Sequence, residues 1–340
     1  MTVVGKPGLV SIVVASYNHA EFLDRRMESL LSQTYPDIEI LVIEDCSSDG
    51  SLAVLRKYEH APNVKLIVRE HNGGWLAVTR QGIELSSGEF VIFAQCDDDC
   101  DPRLIERLVD GMKANPTAGV AFCRSLLVDK DGHELGDDYA VREPSFRARC
   151  MTDTLLTRKE MSRFLLHSCV IPNMSAALIR RECFSVIGHL STDYPACNDW
   201  DLFFRIVTRY DVAYIAEPLN RFRQHETTMR NVTKGRVTYE EFFRLLLGQI
   251  RLLDLTFAER CRFRMHVMYL WAMHLLSPSL NGLWNFPYHL KRVLLLDPPA
   301  LIFLVPGMIL RVARMLGKPL SSLVLPKDKW AKKPINQVTQ

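Results

Sequence analysis

The chain has 340 residues, 48% of them hydrophobic and 24% charged, so it can bury a sizeable core and does not have the composition of a disordered protein. Its nine cysteines are an odd number and include no Cys-x-x-Cys pair, which argues against a disulfide framework and against a zinc knuckle. We therefore expect a reducing compartment.

The net charge of +3 conceals an asymmetry between two parts of the chain. Residues 237–340 carry 14 Lys and Arg against 6 Asp and Glu, which leaves residues 1–236 with a net charge of −5. No basic stripe with interleaved aromatic residues is present, so we do not expect a nucleic-acid partner. The first residues, MTVVGKPGLVSIVVASYN, lack the features of a signal peptide, and we expect a cytoplasmic protein.

Predicted strands and helices alternate along the first hundred residues. The predicted strands are LVSIVVASYN (9–18), IEILVIEDCSSDGS (38–51, closed by a turn), VKLIVRE (64–70) and EFVIFAQCDDD (89–99). Between them, AEFLDRRMESLLSQTY (20–35) and two further segments space their apolar residues as helices do. This alternation predicts a doubly wound, Rossmann-like α/β sheet.

Polar residues close each predicted strand. In doubly wound sheets ligands bind at the carboxyl ends of the strands, so these residues should gather on one rim. They are Ser16, Tyr17, Asn18, Asp45, Asp97, Asp98 and Asp99. Three adjacent carboxylates are costly to bury unless cations or hydrogen bonds offset their charge, so metal binding is the expected role of this cluster. Neither the Gly-x-Gly-x-x-Gly fingerprint nor a P-loop is present.

The next part of the chain is less regular. GVAFCRSLLVDKDGHEL (119–135) predicts a strand pair around a Lys-Asp-Gly turn, and a polar, mobile segment is expected at 136–160. NMSAALIRRECFSVIG (173–188) predicts a strand and a short helix. NDWDLFFRIVTRY (198–210) predicts an amphipathic helix with carboxylates in its first turn.

From about residue 238 the sequence predicts long helices rich in Leu, Phe and Arg. An apolar run at 298–310 is interrupted by Pro306 and is shorter than the roughly 20 residues that span a bilayer. Cations flank it on both sides, which favours an interfacial membrane helix at 298–317. A helix that packs on the catalytic domain, or on a second subunit, is the alternative.

Three ordered motifs resemble those of family 2 glycosyltransferases, over about residues 9–230. They are VSIVVASYNHAEFLDRRMESLLSQTYPDIEILVIEDCSSDGS, NGGWLAVTRQGIELSSGEFVIFAQCDDDCDP and NDWDLFFRI. The resemblance implies an inverting enzyme that transfers a sugar from a nucleotide diphosphate donor. It implies a GT-A type doubly wound mixed sheet over residues 1–236, and we expect residues 237–340 to form a helical, membrane-associating extension.

The resemblance also assigns the nucleotide site. It implies that the first strand end (Ala15, Ser16 and Tyr17) and Asp45 hold the base, with the Asp45 carboxylate accepting from a ring N–H of a uracil-like base. Asp49 is the better candidate for capping the following turn.

Two further residues are implied to contact the donor. Arg80 matches a position from which the family's arginine could reach the base or the diphosphate, although an ordinary solvated role is the alternative. His225 falls where the family often has a histidine near the phosphates or the metal. The resemblance implies that it contacts the diphosphate together with Arg221 or Arg223, and a structural histidine is the alternative.

The metal motif departs from the family's usual Asp-x-Asp-Asp, because Gln95 and Cys96 occupy its first two positions. The resemblance implies that Asp97 lies near the ribose and that Asp98 is the direct ligand of Mg²⁺ or Mn²⁺, which prefer oxygen donors. We expect Asp99 to be a solvated neighbour or a charge at a helix N-terminus.

An inverting displacement needs a carboxylate that accepts the proton of the acceptor hydroxyl. The family's usual Glu-Asp pair aligns with Asn198 and Asp199, so Asp199 is the expected base, with Asp201 as the alternative. The alternative for both acids is that they only stabilise the N-terminus of the helix through their charge.

The expected partners are a nucleotide-sugar donor, most simply a UDP-sugar, and a glycan or lipid-linked acceptor in cell-surface polysaccharide synthesis. The protein is then peripheral on the inner face of the cell membrane, with a homo-oligomer through the C-terminal helices as a further option. Two alternatives stay open: a catalytically degenerate scaffold or sugar-binding subunit, and a metal-dependent sugar-phosphate nucleotidyltransferase. Donor sugar and acceptor are not specified by the sequence.

Overall fold

The predicted alternation of strands and helices is confirmed in the first part of the chain. A computed structural model describes residues 5–141, 144–225, 236–275 and 286–315. The first elements are β1 (Lys6–Ser16), α1 (Ala20–Leu31), β2 (Ile38–Glu44), α2 (Ser51–Arg56), β3 (Val64–Val68), α3 (Gly74–Leu85), β4 (Gly88–Gln95), β5 (Asp99–Cys100) and α4 (Leu104–Ala114).

The following elements complete the α/β part. They are β6 (Ala118–Val128), β7 (Glu134–Asp137), α5 (Pro144–Arg149), β8 (Thr154–Leu156), α6 (Arg158–His167), β9 (Ala177–Arg180), α7 (Glu182–Ile187), α8 (Asn198–Val207) and β10 (Asp211–Arg223). The expected strand pair is confirmed as β6 and β7. The segment 136–160, expected to be polar and mobile, contains α5, β8 and the start of α6, and buries Phe146, Cys150 and Leu156; its mobility stays a prediction.

The ten strands form one mixed sheet in the order β3-β2-β1-β4-β9-β6-β10-β5, with β7 paired to β6 and β8 paired to β10. β9 runs antiparallel between β4 and β6. Strands β1, β2, β3 and β4 are parallel to one another, and β6 is parallel to β10. Because β9 is antiparallel to both of its neighbours, β4 and β6 run in the same direction. The carboxyl ends of β1, β2, β4, β6 and β10 therefore lie on one edge of the sheet.

Helices pack on this sheet through their apolar stripes. α1 buries Phe22, Leu23, Met27 and Leu30 at helical spacing, in the core formed by the central strands. α3 approaches β1 closely at Gly82, where a Cβ atom would lie 2.3 Å from a methyl group of Val13. The site is thus built on a rigid sheet edge.

The chain divides into two compact units. The first comprises residues 1–142, 152–165 and 169–232, and the second comprises residues 143–151, 166–168 and 233–340. Within the second unit are α9 (Arg236–Leu252), α10 (Phe257–Leu275), α11 (Phe286–Leu296), a 3₁₀ helix (Pro298–Phe303) and α12 (Leu304–Met315). The last two residues of the expected interfacial segment 298–317 lie outside the described residues, as do all of the basic residues that follow it.

The helical unit has a core of its own. Trp271 is fully buried on α10 and stacks on Phe286 with a distance of 5.7 Å between the ring centroids. α12 packs closely on α10, because Gly307 has no Cβ that would meet the backbone of Met268 at about 3 Å. Over the described ranges, none of the helices combines the length and the hydropathy that a membrane span requires.

Candidate active site

The sheet register brings three loops to one edge. Ala15 of β1 pairs with Ile43 of β2 and with Gln95 of β4, so the residues two positions beyond this rung follow three neighbouring strand ends. Those residues are Tyr17, Asp45 and Asp97. The predicted rim is therefore present in the fold, and β10 adds His225 to it two residues after its own carboxyl end.

The loops after β1 and β2 brace each other. Asn18 has a positive φ of 53° and its side-chain oxygen accepts from the backbone N–H of Ser48 at 2.8 Å. Asp49 accepts from the backbone N–H groups of Ala20 and Ser51 and so links the starts of α1 and α2. The predicted capping role of Asp49 is confirmed.

His19, Asp97 and His225 form a three-residue cluster on this rim. Nε2 of His225 lies 3.0 Å from Oδ2 of Asp97, and candidate ligand atoms of the three residues lie within 4.8 Å of one another. Two imidazoles and one carboxylate are a donor set that suits a divalent transition ion. The chemistry of the cluster therefore fits the metal that the resemblance implies.

The ring of His19 is held in a definite orientation. Its Nδ1 lies 2.6 Å from the carbonyl oxygen of Tyr17, which can only accept, so Nδ1 is the donor and Nε2 is the ring nitrogen that remains for a metal. A hydrogen bond from the second ring nitrogen to a carbonyl is the usual support of a metal-binding histidine. Phe22 packs beside both imidazoles, with its ring centroid 6.1 Å from that of His19 and 5.0 Å from that of His225, and the two imidazole centroids are 5.9 Å apart.

Asp98 points away from this cluster and is only 1% exposed. Its Oδ2 accepts from the side-chain amide of Asn173 at 2.7 Å, and its Oδ1 accepts from the backbone N–H of Arg223 at 3.0 Å. The geometry thus differs from the expected one: the acid that faces possible ligands is Asp97, whereas Asp98 is enclosed by protein donors. The expected role of Asp98 as the direct metal ligand stays a prediction, and Asp97 is the acid that lies among the other candidate ligand atoms.

Asp99 is also held by the protein, and the expected solvated role is wrong because the residue is buried. Its two oxygens pair with Nε of Arg221 at 2.8 Å and with Nη2 of Arg223 at 2.7 Å. Arg223 is itself 1% exposed and also donates to the carbonyl oxygens of Asp97, Asp129 and Lys130. Arg223 is therefore a structural cation and not the diphosphate contact that was considered.

The pKa values of Asp97 and Asp98 are shifted in opposite directions. Burial raises the pKa of Asp98 to about 7, and the negative charge of Asp97 acts in the same direction. Burial also acts to raise the pKa of Asp97, but the hydrogen bond with His225 and the charges of His19 and His225 bring it below its usual value. Asp97 is therefore the acid that stays ionised beside the two imidazoles.

Asp45 is buried and accepts from the protein backbone. Its two oxygens accept from the N–H groups of Gly73 and Gly74 at 2.9 and 2.8 Å, and Nε of Arg69 lies 3.2 Å from Oδ1. The carboxylate thereby fixes the turn that begins α3, where Gly74 has a φ of +76°. Its role toward a nucleotide base stays a prediction.

The other residues assigned to the nucleotide differ in exposure. Ser16 is buried at the end of β1, Ala15 is half-buried, and Tyr17 beside them is 44% exposed. Arg80 lies on the outer face of α3, where its Nε is 3.1 Å from Glu84 one turn away. The exposed ion pair of Arg80 is typical of a solvated helix surface, and its predicted contact with the donor stays a prediction.

The two acids at the start of α8 have different environments. Asp201 is buried and forms an ion pair with Arg205 at 2.9 Å, and burial raises its pKa. Asp199 is half-buried and accepts from the backbone N–H of Trp200. Asp201 is thus part of the helix structure, whereas Asp199 keeps the more accessible carboxylate.

Known proteins resemble this chain over most of its length. The sequence profile described as Glycosyl transferase family 2 matches residues 11–188, more than half of the chain. The chain belongs to glycosyltransferase family 2. A protein of Rickettsia typhi described as an uncharacterized glycosyltransferase is 27% identical over 244 residues, 72% of each chain. The family assignment from the sequence motifs is therefore confirmed.

Two further similarities are informative. The putative teichuronic acid biosynthesis glycosyltransferase TuaG of Bacillus subtilis is 28% identical over 128 residues, 37% of this chain and 50% of that protein. The crystal structure of S. aureus TarS 1-349 in complex with UDP-GlcNAc superposes with a TM-score of 0.68 at 17% identity and covers 91% of this chain and 92% of that one. These matches confirm the predicted GT-A type mixed α/β fold with C-terminal helices.

Sequence reasoning missed several residues of this family 2 site. His19 follows the predicted strand end directly, and its position after Tyr17 and Asn18 was the available signal. Asn173 and Arg69 gave no such signal, because their partners Asp98 and Asp45 are distant in sequence.

Proposed function

We propose that the protein is a metal-dependent, inverting glycosyltransferase that moves a sugar from a UDP-sugar to a glycan or lipid-linked acceptor. The carrying observation is the His19, Asp97 and His225 cluster at the carboxyl edge of a family 2 sheet. TarS, which has the same fold, was crystallised with UDP-GlcNAc, and this supports a nucleotide-sugar donor. The TuaG relative supports an acceptor in cell-surface polysaccharide synthesis.

The three cluster residues would hold the metal. A divalent cation held there would neutralise the charge that develops on the leaving diphosphate. Because two of the three donors are imidazole nitrogens, we expect Mn²⁺ to support activity better than Mg²⁺, which prefers oxygen ligands throughout. Asp97 contributes the one anionic ligand, and the carbonyl of Tyr17 orients the ring of His19.

Asp199 is our proposed general base. It lies in the first turn of α8 and is half-buried. In the displacement its carboxylate accepts the proton of the acceptor hydroxyl while the new glycosidic bond forms and the bond to the diphosphate breaks. Asp201 serves as a matched control on the same helix because its charge is already paired.

The test measures UDP release by the purified protein from a panel of UDP-sugars, with Mn²⁺, with Mg²⁺ and with chelator. We expect release to depend on Mn²⁺ and to be at least several-fold lower with Mg²⁺. Thermal stabilisation by the same nucleotides, with and without metal, identifies the donor independently of the acceptor. No release and no stabilisation by any donor would contradict an enzyme and favour the scaffold.

The base assignment has its own comparison. Asp199→Asn should bind UDP and Mn²⁺ as the parent does but lose roughly 10²-fold or more in transfer rate, the usual scale of general base catalysis. Asp201→Asn should lose stability through its ion pair and keep most of its turnover. The reverse result would assign the base to Asp201.

A further inference from the structure

An apolar stripe is exposed on the C-terminal helical unit. Ile302, Val305, Ile309 and Val312 are 75%, 64%, 56% and 46% exposed, and their spacing places them along one helix face. Another face of α12 packs on α10 at Gly307, and this contact fixes which face of α12 is exposed. Stripes of this kind on a folded unit mark interaction surfaces.

An arginine-lined cleft lies at the start of the same segment. It has a volume of about 450 Å³ and is lined by Arg251, Arg260, Arg264, Leu295, Asp297, Pro298 and Pro299. Pro298, Pro299 and Ile302 share one short 3₁₀ helix with a rise of about 2 Å per residue, so the cleft borders the stripe.

The cleft carries uncompensated positive charge. Arg264 forms a two-point ion pair with the buried Asp297, at 2.7 and 2.8 Å. Arg251 and Arg260 instead donate to carbonyl oxygens, of Leu296 and of Ile250 and Leu253. Carbonyl oxygens fix the guanidinium planes without neutralising them, so two cations with spare N–H donors face the cleft.

The outer face of α11 has the composition of a membrane interface. Leu294 and Leu295 are exposed beside the cations Lys291 and Arg292. Arg292 stacks on the ring of Tyr288 at 5.2 Å. Leucines, cations and an aromatic ring on one surface are typical of helices that lie in the headgroup region.

We propose that the apolar stripe, the arginine-lined cleft and the outer face of α11 together dock on an anionic lipid membrane. The stripe and the exposed leucines insert at the acyl boundary, and the cleft of Arg251 and Arg260 receives the phosphate of a lipid headgroup. A second copy of the chain that packed this same face in a two-fold dimer would cover the stripe, but it would bring arginines against arginines, and this charge favours the lipid. The inference is independent of the proposed sugar transfer.

The experiment measures flotation of the full-length protein with phosphatidylcholine vesicles that contain or lack phosphatidylglycerol. We expect binding only to the anionic vesicles, weakened at high salt. Arg251→Gln with Arg260→Gln should weaken it roughly 25-fold, from about fivefold per cation at an anionic surface. Arg56→Gln with Arg209→Gln removes the same charge from exposed sites in the first unit and should leave binding unchanged.

Two more variants separate charge and apolar contact from folding defects. Arg251→Lys with Arg260→Lys keeps the charge and should retain most of the binding. Val305→Ser with Ile309→Ser changes exposed side chains only, so it should fold normally, as circular dichroism checks, and bind roughly tenfold more weakly or worse.

Three outcomes would overturn the proposal. The first is undiminished vesicle binding by the Arg251→Gln, Arg260→Gln variant. The second is a dimer, seen by sedimentation velocity without vesicles, that Val305→Ser with Ile309→Ser abolishes, because the stripe would then be a self-association surface. The third is release from vesicles by inorganic phosphate beyond that caused by NaCl of equal ionic strength, which would make the cleft a site for small anions.

Discussion

The two sides of the acidic turn after β4 have opposite chemistry. On the rim side, Asp97 faces His19 and His225, with 17% of its side chain exposed. On the inner side, Asp98 and Asp99 are enclosed by donors from distant parts of the chain. Three identical side chains in sequence thus divide into one that lies among candidate metal ligands and two that the fold itself binds.

The comparison shows that the surroundings of a carboxylate, and not its residue type, decide its role. An ionised carboxylate without water must receive hydrogen bonds or a cation, or it takes up a proton. On the inner side Arg221 and Arg223 neutralise Asp99, whereas Asp98 receives only neutral donors and burial raises its pKa to about 7. On the rim side the two imidazoles hold the pKa of Asp97 below its usual value. Arg26, fully buried nearby, adds a positive charge that acts to lower the pKa of Asp98.

The largest expected effect comes from removing the cation of the inner side. Arg223→Met should lower the free energy of unfolding by about 3–5 kcal/mol, because it leaves the buried Asp99 with a weakened counter-charge and three carbonyl oxygens without their donor. Urea unfolding measures this loss. Arg56→Met, at an exposed position, should change the stability by less than about 0.5 kcal/mol. A loss at Arg223 as small as at Arg56 would contradict the inner side's dependence on charge.

Removing the acid of the rim side should affect function and not the fold. We expect Asp97→Asn to stay folded with a small loss of stability, because the two imidazoles favour the carboxylate in the folded state, and to lose roughly a hundredfold in UDP release, since a bound metal would lose its anionic ligand. Isothermal titration with Mn²⁺ should show the weakened site directly. Asp110→Asn, an exposed acid on α4, is the control and should behave as the parent does. Unaltered Mn²⁺ binding by Asp97→Asn would remove Asp97 from the ligand set.

Substitution of the neighbouring buried acid, Asp98, should lower the stability of the fold. In Asp98→Asn the new amide would face the amide of Asn173, whose oxygen is already used by Ala176 and Asn220. Two donors then meet, and we expect a loss of about 1–3 kcal/mol in stability. Adding Asn173→Asp restores a donor and an acceptor at the same net charge and should recover part of the loss. A double variant less stable than the single would contradict this pairing.

The sheet and its rim could be predicted because their signals are local. Apolar runs of strand length alternate with helical spacing, and parallel strands necessarily share a carboxyl edge. The elements α5 and β8 within 136–160 were missed because single buried residues such as Phe146 leave no periodic pattern. They form through tertiary packing and not through local preference.

The roles of Asp97 and Asp98 could not be predicted locally. The residues that separate them are Arg223 and His225, which lie 125 and 128 positions further along the chain. Both acids lie in the turn between β4 and β5, where no strand alternation fixes the direction of a side chain. Only the placement of β10 against β5 and β6 decides that.

The smallest effect is expected at an acid that has many contacts but little burial. Asp24 accepts from Nζ of Lys57 at 2.9 Å and from the hydroxyl of Tyr58 at 2.7 Å, so it has more than one hydrogen-bond donor, as Asp98 does. Its side chain is 46% exposed, so water competes with both partners, and Asp24→Asn should cost less than about 1 kcal/mol. If partner number rather than burial set the cost, Asp24→Asn would be as damaging as Asp98→Asn.

The pH dependence of this small effect has a defined sign. The hydrogen bonds from Lys57 and Tyr58 hold the pKa of Asp24 below its usual value, so the folded state releases the proton more readily than the unfolded state. The stabilisation is therefore present above pH 4 and is lost as the pH falls through the lowered pKa. The difference in thermal unfolding temperature between the parent and Asp24→Asn should thus shrink between about pH 5 and pH 3. A difference that grows on acidification would show that the carboxylate is not stabilised by these contacts.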